Sequence, residues 1–377
     1  MSEPSSHRDV GFHLDHNAGT PVDARVLAHF LEVERDCPGN PASVHRFGRR
    51  ARAVLEHARS RVAAALAVAA DDVLFCSGGT EANNLAVLGL GDRSLPVLLA
   101  PLEHPSVLEP ARVRGAVLWT VDATARAVVS EPKQPIGLVS LVHGQSEVGS
   151  LQPVVVAAEL AAKMQVPMHV DAAQTLGRVP LDEVLRCATS VALSPHKSGG
   201  LRGCAVLVVR NAERTLRPLL VGGGQEHTLR PGTVSPSLAA ATALAIELAI
   251  VECHDRARAM AAVRQQFLDA IRAADVSHRL LTPLLASVPN TAMIAFDHVD
   301  GRNLLPALDL IFVAASHGSA CSSGSPQPPA VLLAMGLSES LARSCVRFSF
   351  DHRSDAEMGA RAGRCVADVL SRLQKKS

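Results

Sequence analysis

Between about residue 50 and residue 209 the chain alternates short apolar, β-branched runs with stretches of helical periodicity. No other feature narrows its fold as far. Asp72–Cys76, Pro96–Ala100, Val117–Val121, Ile136–Val142, Val166–Val170, Ser190–Leu193 and Cys204–Val209 read as strands. Arg49–Leu66, Glu81–Leu90 and Val154–Met164 read as helices. Strands separated by helices imply parallel βαβ units, hence an α/β fold with a mostly parallel, doubly wound sheet. Ligands of such sheets bind beyond the carboxyl ends of the strands.

An Ala-rich helix from Ser235 to about His254 breaks the alternation. A smaller α+β part follows, with strands near Thr291–Phe296, Ile311–Ala315 and Val346–Phe350 and a last helix over Ser354–Leu373. With 377 residues the chain is long enough for two domains. The expected division is an N-terminal segment 1–20 joining the small domain, a large domain 21–255 and a small C-terminal domain 256–377.

Composition excludes several classes of function. Lys+Arg is 37 and Asp+Glu is 36, so a net charge of +1 gives no electrostatic case for a nucleic-acid or membrane-surface protein. There is no Tyr and one Trp, so no tyrosine acts as base or ligand. The eight cysteines form no C-x-x-C pair, which argues against a zinc knuckle or thioredoxin-type site, and no metal site is read. Scattered thiols, a polar Met1–Gly11 without the layout of a signal peptide, and no apolar run of ~18–20 residues together suggest a cytoplasmic protein.

Four motifs fall where this topology puts a ligand. Ser77-Gly78-Gly79-Thr80-Glu81 follows a strand and opens a helix. Its free N–H groups and the helix dipole suit a phosphate monoester, although such a turn can be a turn and nothing more. Asp171 ends an apolar strand, where a carboxylate could hold a charge on a heteroaromatic nitrogen or could cap the next helix. Lys197, in Ser194-Pro195-His196-Lys197-Ser198-Gly199-Gly200, is placed to form an imine with an aldehyde cofactor or to be an exposed loop lysine. Cys321 lies in a loop of small residues, Ser316-His317-Gly318-Ser319-Ala320-Cys321-Ser322-Ser323-Gly324, placed for transfer chemistry or inert. Core packing is the expectation for the other seven cysteines.

Together these motifs resemble the pyridoxal-phosphate-dependent cysteine desulfurases of the iron–sulfur-assembly type, within the class V aminotransferase superfamily. The similarity runs over nearly the whole chain. It includes His13-Leu14-Asp15-His16-Asn17-Ala18-Gly19-Thr20-Pro21, Gly39-Asn40-Pro41-Ala42-Ser43-Val44-His45, Glu103-His104, Gly222-Gly223-Gly224-Gln225-Glu226, Arg230-Pro231-Gly232-Thr233, Ala334-Met335-Gly336 and Val346-Arg347-Phe348-Ser349. The cysteine loop is similar to that of the long-loop group.

The resemblance implies a fold-type-I enzyme whose large domain binds pyridoxal 5′-phosphate. Lys197 would hold the cofactor covalently and move protons, while Asp171 would keep the ring nitrogen protonated. His104 would stack on the ring, and Gln174 would bond the phenolic oxygen. Gly79, Thr80, Ser194 and His196 would bind the phosphate, with Thr233 reaching the neighbouring subunit's phosphate in a homodimer. Arg347, aided by Asn40, would clamp the substrate carboxylate. Cys321 would take sulfur from L-cysteine as a persulfide, leave L-alanine, and pass the sulfur to an acceptor protein. The chain departs from the family pattern at Ser146, where the usual cofactor-contacting asparagine is shortened, and at His227 in place of an arginine. It also differs at His16-Asn17, Gly19-Thr20 and Phe350-Asp351-His352. The alternatives are a selenocysteine lyase and a weakly active or non-catalytic scaffold that binds sulfur-transfer partners.

Overall fold

The structure is a computed structural model and describes residues 11–283, 285–318 and 328–374. Its strands in chain order are β1 (Phe12–His13), β2 (Val73–Cys76), β3 (Val97–Leu99), β4 (Ala116–Leu118), β5 (Thr120–Val121), β6 (Ala127–Val128), β7 (Leu138–Val142), β8 (Met168–Asp171), β9 (Ser190–Leu193), β10 (Ala205–Val209), β11 (His278–Leu280), β12 (Thr291–Phe296), β13 (Val313–Ala314) and β14 (Cys345–Ser349).

Seven of them form the central sheet in the order β2-β10-β9-β8-β7-β3-β4. Every pair is parallel except those made by β10, which runs against both β2 and β9. Residues of β2, β3, β7, β8, β9 and β10 are buried throughout, as expected of a sheet covered on both faces. The expected doubly wound sheet is therefore present, with one reversed strand.

Local chemistry shifts several boundaries. The strand read as Val166–Val170 is Met168–Asp171, because Gln165 turns with φ 56° and Pro167 has no N–H for a ladder. The run Val117–Val121 splits at buried Trp119: β4 extends the large sheet, whereas β5 turns into a hairpin with β6. The strand read over Ile311–Ala315 shortens to β13, since Phe312 is left-handed with φ 59°. The long Ala-rich helix is Pro236–Val251, with Ser235 accepting a hydrogen bond from the Leu238 N–H as its N-cap. A 72° bend at Glu252 separates it from Cys253–Ala273.

After that bend a second core forms. The three-stranded sheet β11-β12-β14 packs against Cys253–Ala273 and the last helix, Ala356–Gln374. Phe267 meets Phe348 and Phe350 with ring centroids 4.8 and 5.2 Å apart. The two helices approach so closely that a Cβ on Gly359 would lie 2.4 Å from the Val263 carbonyl oxygen, and one on Gly363 2.7 Å from that of Phe267. The short β1 reaches back across the chain to pair with β13. Among the described residues no single helix is long and apolar enough to cross a membrane, and no cluster of metal-ligating side chains occurs.

Candidate active site

The carboxyl ends of β7, β8 and β9 open on a cavity of about 220 Å³. Ten of the twelve described residues singled out for a site line it: Gly79, Thr80, His104, Ser146, Asp171, Gln174, Ser194, His196, Lys197 and Arg347. Asn40 and Thr233 do not. They share a second pocket of about 520 Å³ with Arg52, Gln225 and His227. Cys321 lies outside the described residues. The flanks of its loop are described, and Gly318 sits against Pro329 and the carboxylate of Glu147, next in sequence to Ser146.

Backbone geometry makes one wall of the cavity. The helix Gly79–Gly89 begins at Gly78 without a side-chain cap, so its first-turn N–H groups are available to an anion. Glu81 pins the preceding turn by accepting the Ser77 N–H and pairing with Arg230 at 2.8 Å. A Cβ on Gly79 would stand 2.2 Å from the Ser194 hydroxyl oxygen, so a side chain there would have to displace that hydroxyl.

Asp171 is the last residue of β8 and is buried. Its Oδ1 accepts from the Ala173 N–H and its Oδ2 from Asn83 Nδ2, each at 2.9 Å. Asn83 also donates to Ser106 Oγ at 2.8 Å, so its remaining oxygen accepts from His169 Nε2 at 3.0 Å. That assignment puts the His169 proton on Nε2 and leaves Nδ1 facing Ser190 Oγ at 2.8 Å. Burial holds His169 neutral, its pKa lowered to about 4. A buried relay thus runs Ser190–His169–Asn83–Asp171, and it fixes the carboxylate as an acceptor.

His104 caps the helix Pro105–Arg114, its Nδ1 accepting from the Ser106 N–H at 3.1 Å. With Ser106 Oγ taking the Asn83 proton, its own hydrogen points to His104 Nδ1 at 2.7 Å. The imidazole proton is therefore on Nε2. Burial, and then the cation of Lys197, lower the His104 pKa against the opposing pull of Asp171. The preceding Glu103 is buried and accepts from the Val142 N–H, and burial followed by the charge of Asp171 raises its pKa to about 8.

Arg178 is fully buried and ties the N-terminal segment to this floor, donating to Asn17 Oδ1, Gln174 Oε1 and the Lys197 carbonyl. Asn17 in turn donates to the Ser146 carbonyl and Thr291 Oγ1. Arg347 on β14 donates to the Ser146 carbonyl at 2.9 Å and pairs with Asp15 at 2.6 Å, while its buried Nε has no partner among the described residues.

Sequence reasoning missed Asn83, His169, Ser190 and Arg178. Polar residues inside otherwise apolar buried runs, such as His169 in Met168–Asp171, were the available signal.

A carboxylate, an amine, an imidazole, a guanidinium and an uncapped helix N-terminus around one small cavity fit a phosphorylated heteroaromatic aldehyde. Pyridoxal phosphate has a partner for the carboxylate, the amine, the imidazole and the helix N-terminus, and Gly79 leaves the backbone open to a phosphate. The comparisons agree. A "Cysteine desulfurase IscS" of Dictyoglomus turgidum is 31% identical over 97% of this chain and 94% of its own length. The "Putative cysteine desulfurase IscS 1" of Bacillus subtilis is 33% identical over 96% and 99%. A solved "NifS-like protein" superposes with a TM-score of 0.86 at 28% identity, covering 96% of this chain and all of that one. The profile of the aminotransferase class-V family matches residues 12–358, and its members use pyridoxal phosphate. The chain belongs to the class-V aminotransferase family.

Proposed function

We propose that this protein is a cysteine desulfurase that converts L-cysteine to L-alanine, keeps the sulfur as a persulfide on Cys321, and passes it to an acceptor protein. The observation that carries this reading is the convergence of Lys197, Asp171, His104 and Arg347 on one cavity. The names of the relatives support it.

In this reading the bound cofactor supplies an electron sink for the substrate's α-carbon. Lys197 Nζ holds the cofactor and then carries a proton at that carbon. Asp171, held as an acceptor by Asn83 and the Ala173 N–H, keeps a proton on the ring nitrogen. His104 presents Nε2–H as the remaining donor of its ring. Gly79, Thr80, Ser194 and His196 hold the phosphate, Gln174 meets the phenolic oxygen, and Ser146, shorter than the family's usual asparagine, reaches less far toward the cofactor. Arg347 binds the substrate carboxylate.

The Cys321 thiolate attacks the substrate sulfur. The carbon–sulfur bond breaks, its electron pair stays with the carbon side and ends as the new C–H bond of alanine, and the sulfur remains on the enzyme. Burial raises the thiols of Cys76, Cys187, Cys204, Cys253 and Cys345, so none of these offers a ready thiolate at neutral pH.

Thr233 and Asn40 share their pocket away from the cavity of their own chain, which suits a homodimer in which Thr233 completes the neighbour's phosphate site. The division into a segment 1–20, a large domain 21–255 and a small domain 256–377 belongs to this reading, supported by the bend at Glu252, as does the cytoplasm, a compartment that keeps thiols reduced. Mass spectrometry after L-cysteine treatment tests the reading. One thiol should gain ~32 Da, and Cys321→Ser should gain nothing. Sulfide release by that variant at the parental rate would refute the assignment.

A further inference from the structure

The Arg347 guanidinium does not wait alone for an anion. Its backbone is pinned on both sides, paired with Met293 on β12 and exchanging hydrogen bonds with Ser316. Its side chain is 2% exposed, and one terminal nitrogen is held by the Ser146 carbonyl. The other terminal nitrogen carries the carboxylate of Asp15 at 2.6 Å, which looks out into a separate recess lined by His13, Thr20 and Arg202. The Nε–H is buried without a partner among the described residues.

Two acids must therefore share one fixed fork whenever an amino-acid carboxylate enters the cavity. A second negative charge against the same guanidinium offsets part of the attraction, and the ion pair limits any shift of the fork. The product L-alanine retains the same carboxylate as the substrate. A clamp without a counter-charge would hold both more tightly, and tight uniform binding does not speed turnover.

We propose that Asp15 is a positioning residue that holds the Arg347 fork and, through its charge, limits the affinity of the cavity for α-carboxylates, so that product leaves. The proposal rests on the reading of Arg347 as the carboxylate clamp.

The test uses the full-length holoprotein with Asp15→Asn, which keeps an oxygen acceptor and removes the charge. KM for L-cysteine and the inhibition constant of L-alanine should both fall by about fivefold or more, the scale of a screened like-charge contact. Inhibition by ethylamine, which is alanine without its carboxylate, should not change. Asp15→Glu should return both constants toward the parental values. Asp15→Ser removes the charge with a smaller side chain and should show the same fall if Asp15→Asn does not fold. Unchanged or raised constants in folded neutral variants would overturn the proposal. Arg347→Gln separates the two ideas. If it leaves alanine inhibition intact, the clamp reading fails. If it weakens alanine while Asp15→Asn changes nothing, only the role of Asp15 fails.

Discussion

Replacing Asn83 by alanine removes three hydrogen bonds at once: to Asp171 Oδ2 at 2.9 Å, to Ser106 Oγ at 2.8 Å and to His169 Nε2 at 3.0 Å. All four residues are buried, but Asn83, Ser106 and Asp171 line the cavity, so water can replace the missing amide at Ser106 and Asp171 and not at His169. Ser106 keeps its bond to His104 and loses least. The His169 N–H is left without its partner, and the Asp171 carboxylate loses a donor to an ionised acceptor, the stronger class of bond. At about 1–3 kcal/mol for an orphaned buried group, the His169 N–H sets the expected destabilisation at about 1–3 kcal/mol. Urea unfolding of the apoprotein measures it, with buried Trp119 as the single tryptophan reporter. Asn83→Asp should be as damaging in a different way, because it sets a second carboxylate against Asp171. A loss below about 1 kcal/mol in Asn83→Ala would refute the relay, since the groups would then have found other partners.

Acid should destabilise this protein through its buried histidines, against a smaller opposing contribution from Glu103, whose pKa is raised to about 8 and which therefore gains stability as pH falls. His16, His143, His169 and His196 have pKa values lowered by burial from 6.5 to about 4, so the unfolded chain binds protons first and stability drains as pH falls from about 6.5 to 4. Fully buried His169 contributes on the order of 3 kcal/mol to that loss. A urea midpoint at pH 5 equal to or above that at pH 7.5 would contradict it. Gly79→Ala should fold, because the Ser194 hydroxyl that its Cβ would meet at 2.2 Å can rotate away. The moved hydroxyl and the filled approach should weaken pyridoxal phosphate binding about tenfold or more, read by equilibrium dialysis, and parental affinity would contradict the cradle.

The sheet was legible because its strands are short apolar runs separated by helices, and burial on both faces leaves that imprint directly in residue type. The reversal of β10 was not legible, since a buried strand has the same composition whichever way it runs. Phe312 changed a strand limit through a left-handed backbone, and the run around Trp119 left the large sheet for a hairpin, neither of which an apolar run announces. At the site, Lys197, Asp171, His104 and Arg347 were legible through their flanking glycines, strand ends and motif neighbours. Their supports were not. Asn83 and His169 lie 86 residues apart, and nothing local in either segment points to the other. Arg178 likewise reads as a surface arginine until Asn17 and Gln174 close around it.

The bond from the Asn17 N–H to Ser349 Oγ spans 332 positions, and the ladder from Phe12 to Val313 is nearly as long-range. A nascent chain emerging from the ribosome could assemble the strand ending at Asp171 and the turn carrying Lys197, with Asn17 and Thr20 already held by Arg178 and His196, while residues 12–15 still lack their partners on β13 and β14. Only after β14 has been synthesised can that leading stretch lock beneath Ser146 and Arg347, so binding competence arrives last. Premature termination between Lys197 and β14 would yield a polypeptide with its lysine in place and no finished chamber around it.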